Sequence, residues 1–396
     1  MLSNASLLPR EAITNLRASK IREVANAGIG RADVLPFWFG EPDEVTPEFI
    51  RAAANESLVR GETFYSHNLG VLELRETIAT YVSRIHPNDA LPIVADNIAV
   101  TSSGVNALSL AVQALVNPSD RVVCVTPLWP NLVEIPKILS ATVECVPLQF
   151  DAKRGWWLDM YRLLDALTPS TKVLMVNSPN NPTGWTLSSE EQRLILEHCR
   201  KLGIWILADD AYERLVFDGV SVAPSFFDIA DASDRLISAN TFSKSWLMTG
   251  WRLGWLAAPA PFIEQLGKII EYNTSCSPVF IQRAGIVAVR EGESVIARTQ
   301  ARFRAARDHL CDALNAIESI SAPPAPGSMY AFFKIEGLTD SLAFCKRLVT
   351  HHGLGLAPGV AFGDEGEGFV RWCFASELKR LDAGIARFHS GIRASK

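Results

Sequence analysis

Four short polar segments interrupt this 396-residue chain, each directly after an apolar run of strand character. In open sheets of alternating strands and helices, ligands bind beyond the carboxyl ends of the strands, so polar residues there are the first candidates for chemistry. The first segment, Thr101-Ser102-Ser103-Gly104-Val105-Asn106-Ala107-Leu108, runs from a strand into a helix. Hydroxyls and a glycine at a helix start offer free backbone N–H groups and the positive end of the helix dipole, which suits a phosphate. Plain N-capping explains the same residues, because Ser and Thr favour that place anyway. The second, Asn177-Ser178-Pro179-Asn180-Asn181-Pro182-Thr183-Gly184, follows Val173-Leu174-Met175-Val176 and places two prolines, three asparagines and a glycine in eight residues. Such a loop is rigid, and its amide side chains can hydrogen-bond a planar ligand.

The third segment is Asp209-Asp210-Ala211-Tyr212-Glu213, after Ile204-Trp205-Ile206-Leu207-Ala208. A carboxylate ending a buried strand is costly unless it meets a cation or several donors. A helix N-cap accounts for only one of the two aspartates. The fourth runs from Thr241 to Trp255 and contains Ser243-Lys244-Ser245 and Gly250-Trp251-Arg252-Leu253-Gly254. A lysine among hydroxyls, aromatics and glycines after Leu236-Ile237-Ser238-Ala239-Asn240 is placed for a lowered pKa, which a Schiff-base lysine requires. Arg252 can clamp an anion. Taken singly, any one lysine is usually only a solvated surface charge.

The elements that must position these segments follow from periodicity. Residues 11–27 have helical spacing and end at Gly28, and Gly28 to Asp43 reads as a crossing loop carrying Phe37-Trp38-Phe39. The pattern then predicts helix 70–84, strand 97–101, helix 104–116, strand 121–126, a helix after Pro130, and strand 142–147. It continues through strand 172–176, helix 188–202, strand 204–209 and strand 235–240. Helices between short apolar strands make an α/β fold, with a mostly parallel sheet sandwiched by helices. A long helical region, about 279–315, leads to a smaller α+β part with strand Tyr330-Ala331-Phe332-Phe333, a helix near 340–351, strand 369–374 and a last helix. The expected organisation is an N-terminal segment, 1–44, packing with the small domain; a large domain, 45–285; and a small C-terminal domain, 286–396.

Composition removes other classes. With 48% hydrophobic and 20% charged residues the chain is an ordinary folded protein, not a disordered, collagen-like or coiled-coil one. The net charge of −5 and the lack of a Lys/Arg run argue against nucleic acid or an anionic membrane as partner. Seven scattered cysteines without a CxxC pair read as reduced, mostly buried thiols. The start reaches Arg10 and Glu11 too soon for a secretory signal, and no run of about 18 apolar residues occurs, so a cytoplasmic enzyme is expected. The histidines lack HxxxH or HExxH spacing, so no metal site is expected. Gly28-Ile29-Gly30 and Gly353-Leu354-Gly355 do not make a dinucleotide fingerprint, which sets nicotinamide chemistry aside.

Asn-Asn-Pro-Thr-Gly, Asp-x-Ala-Tyr, Ser-Lys and Gly-Trp-Arg-x-Gly, in this order, resemble the class I and II aminotransferases, the fold-type-I enzymes that bind pyridoxal phosphate. The resemblance covers nearly the whole chain; Gly40-Glu41-Pro42-Asp43, Pro326-Gly327-Ser328-Met329-Tyr330, Pro358-Gly359 and Val370-Arg371 add to it. It implies that 45–285 is the cofactor-binding domain and that Lys244 carries the cofactor as a Schiff base and moves the proton at the substrate's Cα. Asp209 would pair with the pyridine nitrogen, while Asn181 and Tyr212 would bond the ring's 3′ oxygen. Ser103, the N–H groups of Gly104 and Val105, Thr241, Ser243 and Arg252 would hold the phosphate. Trp129 would stack on the ring, with a core aromatic as its alternative. Arg371 would bind the substrate's α-carboxylate, helped by Gly40 and Asn181. Tyr65 matches a tyrosine that reaches the neighbouring subunit's phosphate, which implies a homodimer with shared sites.

In bacterial aspartate-type relatives a lysine follows the phosphate-loop glycine and binds a side-chain carboxylate; here Val105 stands there. With Ile21, Phe37, Trp38 and Phe39 on the approach, the expected donor is an L-amino acid with a neutral, apolar or aromatic side chain, passing its amino group to a 2-oxo acid by a ping-pong mechanism. Arg31 or Lys20 remain as cations for a glutamate-type donor. The alternatives are a β-lyase or other eliminating enzyme on the same residues and an aminotransferase-like sensor domain.

Overall fold

The structure, a computed structural model, describes residues 7–217 and 219–393. A seven-stranded sheet forms its centre, built from β1 (Ile98–Thr101), β2 (Arg121–Thr126), β3 (Thr142–Pro147), β4 (Thr171–Asn177), β5 (Trp205–Asp209), β6 (Leu236–Thr241) and β7 (Gly254–Ala257). The spatial order is β1-β7-β6-β5-β4-β2-β3. All pairs are parallel except those of β7, which runs antiparallel to both β1 and β6. Along β4, Val173 and Met175 enter one apolar layer while Leu174 and Val176 enter the other, so the sheet is buried on both faces. That is why its strands read as unbroken apolar runs.

The expected strands occur within a residue or two. β7 was not foreseen: four buried residues carry no alternation, and they lie flush against the polar segment before them. Two helix expectations need correction. Residues 11–27 form two helices, Glu11–Thr14 and Lys20–Asn26, the second restarted by Ser19, whose hydroxyl accepts the Arg22 N–H at 3.2 Å. The region 279–315 divides into Val279–Glu291 and Glu293–Asn315 at Gly292. A Cβ on Gly292 would lie 2.6 Å from the Trp246 indole, so the break admits that ring.

A second sheet, all antiparallel, has the order β8 (Ile320–Ser321), β9 (Tyr330–Ile335), β11 (Phe369–Cys373), β10 (Ala357–Pro358). The N-terminal residues Leu35–Pro36 pair in parallel with Leu354–Gly355, and Val24, Phe37 and Trp38 share one apolar core with Phe333, Trp372 and Phe388. All seven cysteines are unpaired and five are buried. No helix among the described residues is long and apolar enough to cross a membrane.

Candidate active site

The carboxyl ends of β1, β4, β5 and β6 bring Thr101, Asn177, Asp209 and Thr241 to one edge of the sheet, with Asn177 directly beside Asp209. The antiparallel β7 contributes its first residue to the same edge: Gly254 pairs with both Thr101 and Thr241. A Cβ on Gly254 would lie 2.6 Å from the Gly104 nitrogen and 2.7 Å from the Asn240 carbonyl oxygen. Glycine there lets the turn after β1 lie flat across the strand, so that helix α1 (Gly104–Leu115) starts at the sheet edge.

Beyond this edge opens a cavity of about 490 Å³, lined among others by Gly40, Gly104, Val105, Trp129, Asn181, Asp209, Tyr212, Thr241, Ser243, Lys244, Arg252 and Arg371. Four cationic side chains, Arg22, Lys244, Arg252 and Arg371, face one carboxylate, Asp209. Such an excess suits a ligand carrying phosphate and carboxylate groups.

Lys244 sits in a one-turn helix, Phe242–Ser245, that is held from beneath by aromatic packing. Phe242 lies 5.1 Å, centroid to centroid, from both Trp246 and Trp255. Truncating a buried ring of this kind costs about 3–5 kcal/mol, so the lysine's backbone is well fixed. Its Nζ donates to the Gly40 carbonyl at 2.6 Å. Burial pushes the Lys244 pKa down to about 8, with the Arg371 and Arg252 charges adding to the fall and Cys373 and Glu41 opposing it. Asp209 is 6% exposed; burial pushes its carboxyl up to about 7 against the Ala211 N–H and Lys244. Among the described residues no salt bridge reaches it, and the Ala211 N–H, at 3.3 Å, is its side chain's one hydrogen bond. A buried carboxylate with no cation in ion-pair contact among the described residues fits a ligand that brings one, such as a protonated ring nitrogen.

Asn177 locks the loop to the strand end: its Nδ2 donates to the Asp209 carbonyl at 2.9 Å and its Oδ1 accepts the Asn181 N–H at 2.7 Å. The Asn181 Oδ1 in turn accepts from Arg371 Nη1 at 2.8 Å. Arg371, in β11, is buried; it also donates to the Trp38 carbonyl and lies 4.3 Å from the Tyr330 ring centroid and 4.8 Å from that of Phe362. Its Nε is buried with no partner among the described residues, an unused donor on a side chain that lines the cavity.

For an anion, the α1 N-terminus, Thr241, Ser243 and Arg252 form one cradle. The Thr241 hydroxyl lies 2.9 Å from Ser243 Oγ and accepts the Ser243 N–H at 3.2 Å. Arg252 has left-handed backbone (φ 54°), which turns its exposed side chain to the cavity while Nη1 donates to the Thr249 carbonyl. Ser103 is placed differently: its hydroxyl is buried and accepts the Asn106 N–H at 3.1 Å, the N-cap. Tyr65 is 89% exposed and does not line the cavity within one chain.

The approach also differs in detail from expectation. Ile21 and Phe39 line the cavity, but Phe37 and Trp38 belong to the apolar core behind it. Neither Lys20 nor Arg31 reaches it, and Arg31 pairs with Asp33 at 2.6 Å. The cation there is Arg22, 4.7 Å from the Phe39 ring centroid and without an ion pair among the described residues. Its position, three residues after the capping Ser19, was legible only once the helix start was known. Tyr330 was also missed as a site residue: it lines the cavity with its hydroxyl 2.7 Å from that of Tyr212. Among the described residues no group of three or more His, Cys, Asp or Glu side chains is placed to hold a metal ion.

A family model described as aminotransferase class I and II matches residues 32–388, and the chain belongs to that family. An aspartate aminotransferase of Pyrococcus horikoshii is 31% identical over 389 residues, covering 98% of this chain and 97% of that protein. Aromatic-amino-acid aminotransferase 2 of Thermococcus litoralis is 30% identical over 382 residues, 96% of each. The crystal structure of an aspartate aminotransferase from Thermotoga maritima superposes with a TM-score of 0.88 at 30% identity, over 97% of this chain and all of that one. The architecture is that of fold type I, and the chain is a pyridoxal-phosphate-dependent transaminase.

Proposed function

We propose that the enzyme moves the amino group of an L-amino acid with a neutral, apolar or aromatic side chain to a 2-oxo acid, in two half-reactions at one site. The observation that carries the reading is the meeting of half-buried Lys244, buried Asp209 and buried Arg371 on one cavity. Pyridoxal phosphate, when bound, supplies an aldehyde for the amino group and a ring that takes up the electron pair left on Cα. Lys244 holds the cofactor and, once released, carries the proton to and from Cα. Asp209 keeps a protonated ring nitrogen charged. Tyr212 and Asn181 donate to the 3′ oxygen, Trp129 covers the ring, and Gly104, Val105, Thr241, Ser243 and Arg252 bind the phosphate. The Ser103 hydroxyl accepts at its cap and keeps its own proton, with which it joins them at the phosphate. Arg371 grips the α-carboxylate in a bidentate pair, with Gly40 and Asn181 bordering it, which orients the Cα–H bond. The site joins two units: Lys244 and Asp209 belong to 45–285, and Gly40 and Arg371 to 1–44 with 286–396.

Val105, Leu108, Ile21 and Phe39 on the lining support an apolar or aromatic side chain. Arg22 favours a second substrate with a distal carboxylate, in keeping with relatives named both aspartate and aromatic aminotransferases. A screen of amino donors against pyruvate, 2-oxoglutarate and oxaloacetate, followed by cofactor absorbance and keto-acid product, tests this. Aromatic and branched donors are expected to lead. Activity confined to aspartate would overturn the donor class, and ammonia with pyruvate released in the absence of acceptor would point to elimination. We also propose a homodimer, supported by Phe64, Tyr65 and Tyr272, which are 83%, 89% and 92% exposed in one chain.

A further inference from the structure

The hydroxyl of Tyr330 lies at a junction that the roles above leave without a task. Tyr330 starts β9, is 1% exposed, and meets Tyr212 edge to face, with ring centroids 5.8 Å apart and the two hydroxyl oxygens at 2.7 Å. Arg371 lies over its ring. A Cβ on Gly40 would come within 1.8 Å of the Tyr330 hydroxyl oxygen, so that hydroxyl reaches the backbone of the residue whose carbonyl accepts from Lys244. Three parts of the site therefore converge on one phenol: the lysine's acceptor, the carboxylate arginine and Tyr212.

Each phenol has one proton to donate. If Tyr212 spends its own on the 3′ oxygen of the cofactor, only Tyr330 is left to donate across the 2.7 Å contact. Both stay protonated: burial pushes Tyr330 up to about 12, with Arg371 opposing, and burial together with Tyr330 raises Tyr212 well above the usual tyrosine range. Hydrogen bonds in such a chain strengthen one another, because donation into an oxygen makes it acidify its own proton.

We propose that Tyr330 is a positioning residue that acts through Tyr212: its hydroxyl donates to the Tyr212 oxygen, orients and strengthens the donation of Tyr212 to the cofactor's phenolic oxygen, and its ring seats Arg371. This rests on the cofactor placement proposed above. A stronger donor at the phenolic oxygen stabilises the more negative, deprotonated chromophore, so the natural pair lowers the pH at which the bound cofactor's visible band titrates.

The test is a pH titration of that band in the cofactor-loaded protein, without substrate, for the natural enzyme, Tyr330→Phe, Tyr330→Leu and Tyr212→Phe. Tyr330→Phe is expected to raise the midpoint by about 0.2–0.7 pH unit, a fraction of the rise in Tyr212→Phe. It should keep the KM for the amino donor, because the ring under Arg371 remains. Tyr330→Leu should raise the midpoint similarly and also raise KM several-fold, since the platform is gone. A purely structural role would leave the midpoint of a folded, cofactor-retaining Tyr330→Phe protein where it was, and that result overturns the inference. If Tyr212→Phe moves the midpoint and Tyr330→Phe does not, the chain of donation is wrong while the site reading stands. If neither tyrosine variant moves it, or no band forms on loading the natural protein, the placement of the cofactor fails and the inference with it.

Discussion

Lys244 shows how a side chain acquires a chemistry from its surroundings. A solvated lysine amine is protonated at any physiological pH, and only the neutral amine attacks an aldehyde. Burial, reinforced by Arg371 and Arg252, lowers its pKa to about 8, so a tenth or so of the amine is already neutral at pH 7. The sign is definite: below about 8 the charged form holds, and above it the nucleophile predominates. Capture of pyridoxal phosphate by the cofactor-free protein, followed by rapid-mixing absorbance from pH 7 to 10, should therefore accelerate with pH and level off near 8. A rate still climbing tenfold per unit at pH 9.5 would show that the amine is not desolvated. Arg371 carries the complementary lesson, since its buried guanidinium is held by Asn181, Trp38 and two aromatic rings before any carboxylate arrives.

Among the elements, β7 does most to shape the anion cradle, and it does so by lacking a side chain at one position. The Gly254 contacts are with backbone atoms of Ser103, Gly104 and Asn240, which have no rotamer to relax into. In Gly254→Ala either β7 or the start of α1 must move. We expect a stability loss of about 1–3 kcal/mol, as for overpacking elsewhere, and a cofactor affinity weakened roughly tenfold through the displaced N–H groups. Gly250→Ala, where a Cβ meets nothing within 4 Å, is the control. Urea unfolding and equilibrium dialysis of the two variants check both parts, and equal affinity in them would refute the explanation.

At the scale of the whole molecule, the site is assembled from distant parts of the chain, and in the homodimer proposed above the exposed Phe64-Tyr65 pair would extend this to a second copy. If Tyr65 of one subunit serves the cofactor phosphate of the other, two crippled variants complement each other. Lys244→Ala mixed with Tyr65→Ala, unfolded and refolded together, should recover toward about a quarter of native activity, because half the dimers are mixed and each has one complete site. No recovery, in a mixture that sedimentation shows to be dimeric, would place Tyr65 in the site of its own chain or outside it.

What the sequence determined alone is local. The four polar segments at strand ends, the strands as apolar runs, and the hydroxyl and amide groups of the phosphate and ring loops are chain-continuous, so periodicity and residue chemistry reveal them. The family resemblance then assigned roles to Asp209, Lys244 and Arg371. Tertiary structure decided whatever depends on pairing across the chain. The antiparallel insertion of β7 between β1 and β6 explains Gly254; the break at Gly292 follows from the size of Trp246; and the fate of Phe37 and Trp38 as core follows from packing with the second sheet. Arg22 reached the cavity in place of Lys20 or Arg31 because Ser19 restarts the helix and sets its rotation. Tyr330 meets Tyr212 across 118 residues, and no spacing in one dimension encodes a contact between the start of β9 and the turn that follows β5.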